Sequence, residues 1–195
     1  MPHKIIFVQG SPRKNGNTRA VSEIVMTSAA ANGAEVAQID VTQLAFKEPG
    51  CVGCQKCQQS KEFICAFNDD LARNVARLPE YDVIVLATPL YWWSYSAQLK
   101  IFIDRMYSLS KIADPANFQS LLTGKTMALI ATAGGPIEDN LELLVHQWKK
   151  PADLLGCSFL TCLFPLTPPE PGVLANDPAA FKKAKAFGES LASAP

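Results

Sequence analysis

The chain lacks several features that would assign it to a common class. Acidic and basic residues balance at 18 each, so no general basic surface argues for a nucleic-acid partner. No apolar run approaches the length of a membrane span, and the first residues show no signal-peptide pattern. Only two histidines are present, and neither H-E-x-x-H nor a Ser-His-Asp arrangement occurs. We therefore expect a cytoplasmic protein of one domain, residues 1–195, with no membrane or nucleic-acid partner.

What the chain does contain is an alternation of apolar strands and amphipathic helices. Strands are predicted at residues 5–8, 35–39, 83–87, 127–131 and 158–163. Helices are predicted at 17–31, after Asp69, at 96–109, at 140–154 and after a proline-rich loop at 165–178. This alternation predicts an α/β protein with a parallel sheet and helices on both faces. Ligands of such sheets bind beyond the carboxyl ends of the strands, at the switch point.

The loop of residues 10–18, GSPRKNGNT, joins the first strand to the first helix. Backbone N–H groups and the helix dipole there point at one spot. Ser11, Asn17 and Thr18 add side-chain donors, and Arg13 adds a charge that can pair with a phosphate. The loop is neither a G-x-G-x-x-G motif nor a Walker A loop. It is interpreted as a phosphate site, with a solvated turn of ordinary N-cap residues as the alternative.

Two more loops follow strands at the same edge of the sheet. Residues 88–95, TPLYWWSY, offer aromatic surface that can lie against a flat ring, and residues 132–136, TAGGP, let the backbone approach a ligand closely. A phosphate joined to a planar heteroaromatic ring describes FMN. The alternative for Tyr91, Trp92 and Trp93 is core packing, but three adjacent aromatic residues cannot all enter one core, so at least one should be exposed.

These loops resemble those of the NAD(P)H-dependent FMN reductase family, which has the flavodoxin-like fold. The resemblance rests on residues 10–18 and on TPLYW at 88–92, followed by SAQLK at 96–100 and FIDR at 102–105, and it covers about residues 4–135. It implies a doubly wound five-stranded parallel sheet of order 2-1-3-4-5. It also implies an enzyme that passes electrons from NAD(P)H through FMN to a second acceptor, with a small molecule or a protein as donor and acceptor.

Carried over position by position, the resemblance also implies the site residues. Phosphate contacts are expected from Ser11, Arg13, Asn17 and Thr18, ring contacts from Pro89, Leu90, Tyr91 and Trp92, and a lining of the far side of the ring from Ala133, Gly134 and Gly135. The aromatic surface around Trp92 exceeds what one flavin ring can cover. We therefore expect a homodimer or homotetramer, and the resemblance points the same way.

Four of the six cysteines lie in a segment without helical or strand periodicity, residues 46–68, called here the cysteine loop. Cys51, Cys54, Cys57 and Cys65 can converge on one metal centre, and four thiolates suit Zn²⁺ or an iron–sulfur cluster. The spacing resembles the compact motif of the iron–sulfur flavoproteins, a branch of the same family, although the gap before Cys65 is long for that branch. This resemblance implies a [4Fe-4S] cluster that exchanges single electrons with FMN. The alternatives are free thiols or a disulfide formed on handling.

Several functions are consistent with these motifs. The first is an FMN-dependent oxidoreductase, with or without a cluster. The others are a flavin-binding regulatory protein with little turnover and a phosphate-binding module without redox chemistry. No catalytic side chain is expected, since the flavin ring itself accepts hydride. The cysteine loop is expected to fold over the flavin edge of its own or a partner's sheet. Asp104 and Arg105 are interpreted as a local ion pair or an interface contact, and Cys157 and Cys162 as small core residues.

Overall fold

The computed structural model describes residues 2–194 except the side chain of residue 115. In chain order its strands are β1 (Lys4–Gln9), β2 (Glu35–Asp40), β3 (Val83–Pro89), β4 (Ser110–Lys111), β5 (Gln119–Ser120), β6 (Thr126–Thr132) and β7 (Ser158–Phe164). Five of them form a parallel sheet of order β2-β1-β3-β6-β7, while β4 and β5 form a separate antiparallel pair. Numbered among themselves, the strands of the large sheet follow the order 2-1-3-4-5, which confirms the predicted fold.

Six α-helices connect or flank these strands. They are α1 (Asn17–Ala31), α2 (Lys56–Gln59), α3 (Asp70–Ala76), α4 (Ala97–Arg105), α5 (Glu142–Leu155) and α6 (Pro178–Ala192). The predicted helix at 96–109 ends earlier, because a tighter 3₁₀ turn, Met106–Leu109, replaces its last residues. Three of these helices have a side-chain cap at their N-terminus. Asp69 caps α3 by accepting from the N–H of Ala72 at 2.8 Å, Ser96 caps α4, and Asp177 caps α6.

The sheet separates two hydrophobic layers. Ile6, Val8, Ile84 and Leu86 face the layer that contains α3, α4 and α5, whereas the alternate residues of the same strands face α1 and α6. Strands β3 and β6 are buried along their whole length, as their continuous apolar sequences predict. Helices therefore cover both faces, and the carboxyl ends of β1, β3 and β6 are left free to form a ligand site.

Helices α1 and α6 approach each other closely at Gly188. A Cβ built there would collide with the carbonyl oxygen of Val25 and lie 2.7 Å from the Cβ of Ser28. The last helix thus holds the helix that begins at the phosphate loop. Among the described residues, no helix combines the length and the apolar composition needed to cross a bilayer.

The two remaining cysteines lie at β7. Cys162 is buried in the layer of α1 and α6, as predicted, whereas Cys157 precedes the strand, is half-buried and donates to the carbonyl of Leu122 at 3.0 Å. Burial raises the pKa of both thiols to about 11. Both therefore behave as protonated, small packing residues at neutral pH.

Candidate functional site

The phosphate loop is fixed to the sheet and to α4 at its first residue. The N–H of Gly10 donates to the carbonyl of Ala87 at 2.8 Å, and the hydroxyl of Ser96 donates to the carbonyl of Gly10 at 2.5 Å. A Cβ at Gly10 would lie only 2.6 Å from the Cβ of Leu99. Glycine is therefore required here by the close approach of α4, and not by an unusual backbone angle.

Helix α1 begins beyond this loop without a side-chain cap. Gly16 occupies the N-cap position, where it has no side chain with which to make a cap hydrogen bond. An α-helix leaves four N–H groups unpaired at its start, and the dipole adds a partial positive charge. The start of α1 thus offers N–H donors to an anion in the adjacent cavity.

That cavity has a volume of about 320 Å³ and lies at the carboxyl edge of the sheet. All three predicted loops contribute to its wall. Nine of the eleven predicted cofactor residues line this cavity, and Trp92 and Gly135 do not. The nine are Ser11, Arg13, Asn17, Thr18, Pro89, Leu90, Tyr91, Ala133 and Gly134. The structure therefore brings the predicted phosphate and ring residues together around one space.

The two predicted residues outside the wall have other roles in this chain. Gly135 makes room for a neighbour, since a Cβ there would lie 2.5 Å from the Nδ2 of Asn140. Trp92 is 90% exposed at the tip of a hairpin closed by backbone hydrogen bonds between Tyr91 and Ser94. Trp92 and Trp93 have φ angles of +49° and +58°, which residues other than glycine rarely adopt. The hairpin presents the Trp92 ring to solvent at the mouth of the cavity, as the sequence predicted for at least one aromatic residue.

Sequence reasoning missed a segment that closes the phosphate end of the cavity. Residues 165–176, called here the strap, contribute Thr167, Pro168 and Pro169 to its wall. The Asn17 side-chain amide donates to the carbonyls of Pro168 and Glu170, both at 2.9 Å, and accepts from the N–H of Leu174 at 3.1 Å. Proline density was the only signal of this segment in the sequence.

The strap changes the interpretation of the predicted phosphate ligands. Both donor hydrogens of the Asn17 amide are used by strap carbonyls, and the hydroxyls of Thr18 and Thr132 bond to each other at 2.7 Å. Arg13 donates through Nη1 to Pro169 at 3.1 Å, but its guanidinium has further donors. Arg13 and the backbone N–H groups at the start of α1 therefore keep donors for a phosphate, whereas the Asn17 amide has none left and the Ser11 hydroxyl also lies 3.3 Å from the carbonyl oxygen of Arg13.

The residues present fit an FMN molecule. The uncapped start of α1 and the Arg13 cation suit a phosphate, and apolar surface from Pro89 and Leu90 suits a flat ring. A Cβ built at Gly134 has no heavy atom within 4 Å, so the backbone there faces open space. Phosphate chemistry at one end and flat apolar walls at the other match the two parts of the cofactor.

The four cysteines of the cysteine loop line a second, small cavity of about 20 Å³. Cys51 and Cys54 are exposed, Cys57 is buried and Cys65 is half-buried, and all four are free thiols. Among residues 2–194, no group of three or more His, Cys, Asp or Glu side chains is arranged to hold a metal ion. The donor set fits an iron–sulfur cluster in type and number, but a space of this size holds about one water molecule. In this structure the four sulfurs therefore do not enclose a space the size of a cluster.

The cysteine cavity lies away from the flavin cavity of the same chain, and the two share no lining residue. Ser96, before the first residue of α4, contacts the phosphate loop, whereas Arg105 and Tyr107, at and beyond its last residue, line the cysteine cavity. The nine residues of α4 span roughly 14 Å at the usual helical rise. The structure thus does not place the loop over the flavin edge of its own sheet, and its position over a partner's flavin stays a prediction.

Arg105 does not form the local ion pair with Asp104, and the alternative interpretation, an interface contact, stays a prediction. The expected local ion pair on α4 is formed instead by Lys100 and Asp104, at 2.5 Å. Arg105 is 1% exposed and donates into the cysteine loop, including to the Sγ of Cys65 at 3.0 Å. Its burial at the end of an amphipathic helix could not be deduced from the spacing of apolar residues alone.

A parallel sheet of this order, with an anion-binding loop after its first strand and a ligand cavity at its carboxyl edge, defines a flavodoxin-like α/β protein. A sequence model of the family described as NADPH-dependent FMN reductase matches residues 3–146. The chain belongs to this family, which confirms the resemblance.

Individual relatives agree with this assignment. An iron-sulfur flavoprotein of Methanocaldococcus jannaschii is 36% identical over 103 residues, which cover 52% of this chain and 51% of that protein. This chain therefore spans about half the length of that relative. An iron-sulfur flavoprotein of Archaeoglobus fulgidus is 29% identical over 181 residues, 89% of this chain and 82% of that protein. The solved structure of an NAD(P)H:quinone oxidoreductase from Methanothermobacter marburgensis superimposes on this chain with a TM-score of 0.75 at 16% identity. The superposition covers 98% of this chain and all of that chain, and it shows that the two share a fold.

Proposed function

We propose that this protein binds FMN in the 320 Å³ cavity, reduces it with NADH or NADPH, and passes the electrons to a small-molecule or protein acceptor. The observation that carries this proposal is the convergence of the phosphate loop, the aromatic loop and the glycine-containing loop on one cavity at the carboxyl edge of the sheet. Residues as distant in sequence as Ser11, Leu90 and Gly134 line that cavity. A solvated turn and a packed aromatic cluster would not produce this arrangement.

The chain's own residues would position the cofactor and exclude water. The N–H groups at the start of α1, with Ser11 and Arg13, would hold the phosphate. Pro89, Leu90 and Tyr91 would pack against one side of the ring, opposite Ala133 and Gly134. These residues together are called the cavity wall. Bound flavin supplies hydride and electron transfer. Arg13 and Tyr91 are the titratable side chains of the described wall, and it contains no carboxylate, histidine or cysteine. In this proposal the protein contributes the placement of the flavin and the polarity around it.

A second function is favoured by the cysteine loop. Cys51, Cys54, Cys57 and Cys65 line one cavity, and curated relatives are named iron-sulfur flavoproteins. We infer that the loop opens to hold a [4Fe-4S] cluster, which would let the protein exchange single electrons with a partner. Cys51 and Cys54 are exposed, so iron can reach their thiols from solvent.

The assembly proposed here is a homodimer or homotetramer. Tyr91, Trp92 and Trp93 are all exposed beside the cavity, a larger aromatic surface than one flavin ring covers. A second copy of the chain would cover the remainder. Sedimentation of the FMN-loaded protein at micromolar concentration should show a dimer or larger, and Trp92→Ala should shift it toward monomer. A monomeric wild-type protein would contradict the proposed assembly.

The experiment that tests FMN binding uses one phosphate-dependent comparison and one matched pair of variants. FMN should bind at about 1:1 with a Kd of micromolar or tighter, on the order of −8 kcal/mol, and riboflavin, which lacks the phosphate, should bind more weakly. Ser11→Asp places a carboxylate at the phosphate, while Ser11→Asn is neutral and similar in size. Like charges about 4 Å apart repel by about 4 kcal/mol at an effective dielectric of 20, so we expect at least a hundredfold weaker binding for Asp than for Asn. Equal affinities would refute the phosphate site.

Turnover separates the oxidoreductase from the other functions. NADH and NADPH should each be tested with several acceptors in the steady state. FMN binding without turnover would favour a regulatory protein, and failure to bind FMN would favour a phosphate-binding module. The cluster is tested separately by anaerobic reconstitution. We expect about four irons per chain, lost when any of the four loop cysteines is changed to serine and unaffected by Cys157→Ser.

A further inference from the structure

Arg105 is a buried cation whose side chain is used entirely by the segment between β2 and α3. Its guanidinium donates to the carbonyl of Gly50, to the carbonyl of Glu48 at 2.8 Å and to the Sγ of Cys65 at 3.0 Å. It also pairs with the Asp69 carboxylate at 3.3 Å. These acceptors lie near both ends of the cysteine loop, so one side chain joins the start of the loop to its end.

The middle of the cysteine loop is held separately, because Gln58 donates to the carbonyl of Ser110 at 2.8 Å and accepts from the N–H of Ile112 at 2.9 Å, which leaves the two ends of the loop to Arg105. The one helix of the loop, α2, has four residues, and the rest of the segment has no regular secondary structure. Asp69 extends the attachment, because the same carboxylate accepts from the N–H of Lys47 at 3.0 Å. Burial alone would raise the pKa of Asp69, but hydrogen bonds from Lys47 and Ala72 and the Arg105 charge outweigh it and lower the pKa below its ordinary value. The carboxylate is therefore ionised and pairs with a full positive charge.

The guanidinium also faces the sulfur chemistry of the loop directly. Arg105 lies over the ring of Phe67 at 4.7 Å, which fixes its plane while Nη1 points to Cys65. On the other side, Lys111 donates to the carbonyls of Cys57 and Glu62. Two cations thus lie against a loop whose four thiols would each become anionic on binding metal.

We propose that Arg105 is the positioning residue of the cysteine loop: it fixes the loop across its two ends and directs a hydrogen bond at the sulfur of Cys65. Only a planar fork with several N–H groups can reach four acceptors in different directions, and a lysine ammonium cannot. The effect of Arg105 on the loop does not require a bound cluster. The effect on a bound cluster rests on the proposed function, where loss of a cation and of a hydrogen bond to sulfur disfavours the more negative, reduced state.

Amide hydrogen exchange in the full chain tests the first part. Arg105→Lys keeps the charge but loses the fork, so amides of residues 46–69, Lys47 above all, should exchange at least tenfold faster while the sheet strands stay protected. Lys100→Met, which removes an exposed cation from the same helix, should leave exchange unchanged. Arg105→Met removes both the charge and the hydrogen bonds and should have a larger effect. If Arg105→Met does not fold, the exchange rates of Arg105→Lys decide between the outcomes. Wild-type exchange rates in Arg105→Lys would overturn the proposal.

The reduction potential tests the second part, because a merely structural role would not move it. After anaerobic reconstitution, Arg105→Met should lower the ratio of reduced to oxidised cluster about tenfold at a fixed potential, which is 59 mV for one electron. Arg105→Lys should recover part of this shift. Identical potentials in all three proteins would overturn the electrostatic role. If the wild-type protein takes up no iron, the proposed cluster function fails, and the exchange experiment alone decides the role of Arg105.

Discussion

Alanine substitutions at Gly10 and Gly134 should separate stability from cofactor binding. Both glycines belong to the loops at the carboxyl edge of the sheet, but their surroundings are opposite. A Cβ at Gly10 would lie 2.6 Å from the Cβ of Leu99 and 3.2 Å from the carbonyl of Ala87, whereas a Cβ at Gly134 would meet nothing within 4 Å. The same added methyl group should therefore have different consequences.

The magnitude at Gly10 follows from what would have to move. Leu99 is fully buried, and the atom approached is its Cβ, so no side-chain rotation relieves the contact and α4 itself must shift. Overpacking a core costs about 1–3 kcal/mol, and the stiffer unfolded chain returns about 0.4–1 kcal/mol. We expect Gly10→Ala to lower the free energy of unfolding by about 1–2 kcal/mol, which is roughly 2–8 °C in Tm for a chain of this size.

Gly134→Ala should leave the free energy of unfolding within about 0.5 kcal/mol of wild type, because the position is exposed. It should weaken FMN binding at least tenfold, since the methyl group is added to the cavity wall, where one extra methylene changes binding by about 1–3 kcal/mol. Urea unfolding of the FMN-free proteins measures the first quantity, and quenching of flavin fluorescence measures the second. A wild-type stability for Gly10→Ala, or a large loss for Gly134→Ala, would refute the reasoning.

Three further changes have expected outcomes. Gly188→Ala should lower the free energy of unfolding, measured in urea, by about 1 kcal/mol or more, because α1 and α6 must separate to admit the methyl group. The cost of this separation should exceed the gain in helix propensity of about 1 kcal/mol. A more stable variant would contradict this packing. In protein dilute enough to be monomeric, Trp92→Asn should raise Tm, since φ is +49° and asparagine tolerates that conformation at an exposed turn. A lower Tm under these conditions would contradict the strain. Burial raises the pKa of Cys157 and Cys162 to about 11, so the folded state holds protons that the unfolded state releases above its ordinary thiol pKa. Stability should therefore fall from about pH 9 toward pH 11, and the double alanine variant should show a shallower fall in urea unfolding; an equal fall would show that these thiols do not contribute.

The strands and the ligand edge were predictable because they depend on local patterns. Continuous apolar residues predict β3 and β6, and the polar loop after β1 predicts an anion site without knowledge of any distant contact. The sheet order came from a resemblance of motifs and not from periodicity. The site loops converge because parallel strands end at one edge, so predicting the strands predicted the place of the site.

The details that the sequence did not indicate depend on contacts between segments far apart in sequence. Asn17 is a good phosphate donor by its type and position, but its amide is used by carbonyls more than 150 residues later, which no local pattern indicates. Gly135 accommodates Asn140, and Arg105 reaches a loop some 40 to 57 residues earlier. Residue type predicts which bonds a side chain can form, and only the folded chain determines which partner takes them.

The strap has a consequence for the order in which the protein can be made. During synthesis the phosphate loop leaves the ribosome early, but the carbonyls that bind Asn17 and Arg13 belong to residues 168–170, and the helix that packs on α1 follows at Pro178–Ala192. A nascent chain that has reached only β6 therefore has the phosphate loop without the segments that close and support it. At the proposed site, capture of FMN has to wait until the strap has been synthesised, so a chain arrested before residue 165 should be released without flavin even when its first strands have already paired.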